Sequence, residues 1–118
     1  MSKTSGASFK RRAPDNLCEE LVAVLSSKAS FEFKPLFDIL LVNLRQRNAA
    51  SGGEEMLRLR AYEKLQGLVS QGAVNRVVNG VTKKYKGVGP RLDGLSAEMK
   101  ILRAEWNQKL LDKARTRN

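Results

Sequence analysis

The chain has 118 residues with one cysteine and no histidine, and its 22 lysines and arginines outnumber its 12 acids, leaving a formal charge of +10. A chain this long can bury one core without covalent staples. A lone thiol excludes an internal disulfide, and the missing histidines remove the ordinary zinc, iron and copper ligand sets together with Cys-His and Ser-His nucleophiles. No metal, no cofactor and no enzymatic activity is therefore expected, and the surplus positive charge points to a polyanionic partner.

The charge is unevenly spread. Residues 1–14 carry Lys3, Lys10, Arg11 and Arg12 and no acid, and residues 73–91 carry Arg76, Lys83, Lys84, Lys86 and Arg91, again without an acid. Elsewhere the signs nearly balance. The first stretch, "MSKTSGASFKRRAP", is small, polar and basic, and reads as a flexible tail whose Lys10, Arg11 and Arg12 are available to phosphate.

Asp15 is a good N-cap for a first helix to about Ser26, with Leu17, Cys18, Leu21, Val22, Val24 and Leu25 on one arc. Pro35 suits the first turn of a second helix to about Arg47, so apolar that it is expected at the centre of the core. Its run "LFDILLVNL" is too short and too polar to span a membrane, and no apolar signal core precedes it. The expected location is intracellular, either cytoplasmic or with the nucleoid or nucleus. Ser51 and Glu54 have capping-box spacing before a third helix to about Ser70, which buries Leu57, Ala61, Leu65 and Leu68.

A fourth helix is expected from Ala73 to about Lys86, because Val74, Val77, Val78, Val81 and Tyr85 fall within about 100° of helical arc. Gly87, Gly89 and Pro90 would end it. A last helix then starts near Ser96, with Leu95, Met99, Leu102, Trp106 and Leu110 along its seam. The expected architecture is all-α: a single compact domain of about five helices over residues 15–118, behind a flexible basic tail at 1–14.

On the fourth helix, Asn75, Arg76, Asn79, Lys83 and Lys86 cluster opposite the apolar stripe, a face of cations and amides with no carboxylate. Such groups hold phosphates and reach base edges, so this face is the expected nucleic-acid contact, with Arg91 and the tail cations as accessories. Val69, Ser70, Val74, Arg76, Val77, Val78 and Asn79 also resemble the turn and recognition helix of the lactose-repressor family of helix-turn-helix proteins. Asn75 stands where that family has serine. The resemblance implies that Arg76 and Asn79 lie on a groove-facing helix. The expected function is thus non-enzymatic binding of DNA or RNA. The alternative is a structural or adaptor protein that docks its helices on another protein, with Ile101 and Leu111 as a second stripe on the last helix.

Overall fold

The computed structural model describes residues 13–50 and 52–116. The first helix, α1, runs Asn16–Leu25 behind Asp15, whose carboxylate accepts from the Leu17 and Cys18 amides at 3.0 and 3.2 Å. Those bonds satisfy two of the donors that a helix start leaves open. A two-residue strand, β1 (Ser30–Phe31), leads into α2 (Phe33–Gln46), and α3 (Glu54–Ser70) follows. Ser51, half of the expected capping box, lies outside the described residues, and α3 starts behind Gly53 with no side-chain cap.

α2 and α3 end in the same way. After α2, Asn48 takes φ 57°, donating its amide to the Arg45 carbonyl, while the Ala49 amide reaches the Leu44 carbonyl at 2.8 Å. After α3, Gly72 takes φ 79°, donating to Val69, and the Ala73 amide reaches the Leu68 carbonyl at 2.9 Å. Both are Schellman endings, in which a left-handed residue closes the last turn and sends the chain off in a new direction.

That second ending overturns the expected fourth helix. Residues past Ala73 form β2 (Val74–Asn79) and β3 (Thr82–Gly87), an antiparallel hairpin in register from Val74 opposite Gly87 to Asn79 opposite Thr82. Gly80 and Val81 make the two-residue loop, with Gly80 at φ 61° where the tight turn demands a positive angle. A helix through this segment would carry glycine in its interior and five β-branched side chains, whereas a hairpin uses both. β1 pairs with β3 through Ser30–Lys86 and Phe31–Tyr85, giving a sheet of order β1-β3-β2. The domain is therefore not all-α: among the described residues four helices carry a three-stranded antiparallel sheet.

The last helix, α4, spans Gly89–Thr116 and begins well before Ser96. Pro90 sits in its first turn, where a fixed φ and a missing N–H are no handicap. Among the described residues of α4 only Leu92 is fully buried, and Leu95 and Met99 pack against the core. Among the described residues no helix is long and apolar enough to cross a membrane.

The core lies between α1, α2, α3 and the base of the sheet, with Leu21, Leu36, Phe37, Leu40, Leu44, Leu65, Val74 and Tyr85 all fully buried. α2 contributes one side to it, not its whole circumference, since Ile39 and Val42 remain exposed. Cys18 is half-buried. Burial, then the charge of Asp15, pushes its thiol pKa up.

Gly87 is the tightest point in this assembly. A Cβ placed there would overlap the Leu92 side chain and lie 2.5 Å from the Leu25 carbonyl oxygen, whereas one added at Gly67 meets nothing within 4 Å. Gly87→Ala is therefore expected to lower unfolding free energy by about 2–3 kcal/mol in a urea titration. Gly67→Ala, in the last turn of α3, is expected to raise it by about 0.5–1 kcal/mol.

Candidate functional site

In a hairpin, alternate side chains face opposite ways and directly paired residues share a side. Val74 and Tyr85 point into the core, so Arg76, Val78 and Lys83 lie on that same inner face, nearer the turn, where all three are exposed. Asn75, Val77, Asn79, Thr82, Lys84 and Lys86 occupy the outer face. The expected helical cluster is thereby divided. Asn75, Asn79 and Lys86 stay together, and Arg76 and Lys83 form a separate pair on the other side.

Lys84 joins the outer group, although it falls off the cation-and-amide face of a helix. Its signal in the sequence is the two-residue spacing to Lys86, a strand period. On the outer face Asn75 is directly opposite Lys86, Val77 opposite Lys84 and Asn79 opposite Thr82. Neighbours along a strand face stand about 7 Å apart. The result is a short ladder with amides on one strand and ammonium groups on the other.

Arg91 is not part of it. On the first turn of α4, its guanidinium donates to the Gln71 carbonyl and helps to close the C-terminus of α3. Lys10, Arg11 and Arg12 lie outside the described residues. The likeness to the lactose-repressor helix-turn-helix also fails, because Val69 and Ser70 end α3 while Val74–Asn79 form a strand.

In the body of the domain six of the described cations are paired. Glu19 of α1 accepts from Arg47 at 3.0 Å and from Arg103 of α4 at 2.6 Å, and Glu20 accepts from Arg47 at 2.6 Å. Lys64 meets Asp15 at 2.6 Å, Arg58 and Arg45 both meet Glu54, and Lys34 meets Asp38. No hairpin cation pairs with a described carboxylate. Arg76, Lys83, Lys84 and Lys86 are all exposed.

Aromatic side chains sit close to the inner face. The Phe33 ring stacks on buried Phe37 with centroids 6.0 Å apart, and Tyr62 of α3 meets Phe33 edge-on at 5.4 Å. Tyr85, expected in the core, is there, with its hydroxyl accepting from the Gln66 side-chain amide at 3.2 Å. Trp106, also expected in the core, is only half-buried on a stretch of α4 that the core does not reach. Among the described residues no group of three or more Cys, Asp and Glu could hold a metal ion. Comparison of the chain with protein-family models, curated proteins and solved structures finds no match.

The Glu19 clamp has a pH signature. Burial disfavours the charged carboxylate, but the hydrogen bonds from Arg103 and Arg47 outweigh it and hold the Glu19 pKa below the ordinary 4.5. A depressed folded-state pKa contributes stability at neutral pH that is lost as pH falls through the folded value. Wild-type protein is therefore expected to lose stability as pH drops below about 4.5 in denaturation experiments. Glu19→Gln is expected to be less stable at pH 7 and to show a flatter pH dependence in that range.

Proposed function

We propose that the chain binds nucleic acid through its β2–β3 hairpin, with Asn75, Asn79, Lys84 and Lys86 on one side and Arg76 and Lys83 on the other. The observation that carries this reading is the concentration of charge: all four cations of the hairpin are exposed and unpaired, and neither strand carries a carboxylate. Unpaired ammonium and guanidinium groups on a rigid ribbon release counterions when they meet phosphates, and that release supplies sequence-independent affinity.

A two-stranded ribbon is narrow enough to enter a major groove, and the two asparagines bring amide donors and acceptors to base edges. The reading element here is the hairpin, not α3. The outward side of α3 mixes Glu54, Glu55 and Glu63 with Arg58 and Arg60, so its cations are not free of carboxylates as those of the hairpin are.

Docking on another protein is the second reading, and α4 favours it. Ile101, Leu110 and Leu111 are each more than half exposed there, at 60%, 51% and 56%.

The test is a titration of nuclease-treated protein with duplex DNA, single-stranded DNA and RNA across a salt series. Binding that weakens steeply with salt is expected, and Lys84→Ala and Lys86→Ala should each reduce the duplex slope by about 0.9. Arg91→Ala should leave it unchanged. No binding near physiological salt, or slopes indifferent to both lysines, would sink the proposal.

A further inference from the structure

The inner face of the hairpin tip overhangs a cleft of about 340 Å³, bounded by Phe33 and Lys34 of α2, Tyr62 of α3, and Val81 and Lys83 of the hairpin. We infer that this cleft takes one unstacked base of a single-stranded nucleic acid, with Tyr62 as the stacking surface and Lys83 as the phosphate contact at its rim. The inference rests on the nucleic-acid reading above and adds what kind of strand the inner face selects.

Three observations support it. The rings are held in place: Phe37 is buried, Phe33 stacks on it, the Arg58 guanidinium lies 5.2 Å from the Phe37 ring centroid, and Tyr62 is set edge-on against Phe33. Tyr62 is 39% exposed at the end of this row, so the row stops at a ring that solvent reaches. A base stacked on a ring fixed in this way gains contact without the cost of ordering the ring.

The cleft also adjoins the unpaired cations of the hairpin. Lys83 lines it and Arg76 shares its face, while Lys34 is paired with Asp38 and Glu32 is the one carboxylate of the lining. An apolar peptide would leave Lys83 unused, whereas a nucleotide brings an aromatic base and a phosphate together. Val81, fully exposed in the turn, closes the outer side with an apolar surface. A base paired within a duplex is not available to enter, so the cleft discriminates by strandedness.

The test compares a short single-stranded dT oligomer with a duplex of the same length, for wild type, Tyr62→Leu, Tyr62→Phe and Lys83→Ala. Tyr62→Leu is expected to weaken dT binding by about 5- to 150-fold with the duplex affinity unchanged, and Tyr62→Phe to keep wild-type affinity. Lys83→Ala is expected to lower the single-strand salt slope by about 0.7. Ultraviolet cross-linking of wild-type protein to dT should map to Tyr62 or Phe33, which keeps the test decisive if the leucine variant folds poorly. Unchanged dT affinity in a folded Tyr62→Leu variant, equal losses for dT and duplex, or cross-links away from the cleft would overturn the inference and leave hairpin binding standing. Failure of wild type to bind any nucleic acid would remove both.

Discussion

Tyr85 fastens the hairpin to the helical body and, in doing so, fixes which way every other hairpin side chain faces. Its ring is buried, its hydroxyl takes a hydrogen bond from Gln66 of α3, and its backbone lies between Phe31 of β1 and Arg76 of β2. A strand alternates with period two, so an inward Tyr85 forces Lys84 and Lys86 outward. A slip of one residue would turn both lysines toward the core and bring Tyr85 into water. Burial of one aromatic ring is thus also what displays the charge, and Gly87 allows it by letting β3 pass close under the Leu25 carbonyl.

The helices supply what the hairpin leans on. Glu19 ties α1 to the end of α2 and to α4 through two arginines, and Lys64 ties α3 to the start of α1 through Asp15. These contacts consume positive charge inside the body. The paired cations hold elements together, while the four on the ribbon stand close together with no carboxylate on either strand.

Much of the helical body was legible in the sequence. Asp15 caps α1, the ends of α2 and α3 fall close to their expected places, and Leu57, Ala61, Leu65 and Leu68 are the buried side of α3. The hairpin was not, for a definite reason. Positions 74, 77, 78, 81 and 85 satisfy a helical period, yet only Val74 and Tyr85 reach the core, and Val77, Val78 and Val81 are exposed. The competing signals were present: Gly80 between two β-rich runs marks a turn that a strand pair uses, and Lys84 and Lys86 alternate around Tyr85. Pro90 and the glycines beside it read as a stop but lie at a start. The strand Ser30–Phe31 is too short to leave a pattern, and its existence depends on β3 being there to pair with it. The correction changes the geometry of the candidate site, because a sheet sends Arg76 and Lys83 one way and Asn75, Asn79 and Lys86 the other, and Arg91 closes the end of α3 instead.

The claim that the hairpin is both a sheet and the contact surface is tested most directly by following backbone amide resonances of the labelled protein during a nucleic-acid titration. The account predicts strand-type chemical shifts for residues 74–79 and 82–87 in the free protein, and ligand-induced changes concentrated between Asn75 and Lys86. Helical shifts across that segment, or changes confined to the basic end of α4, would contradict it.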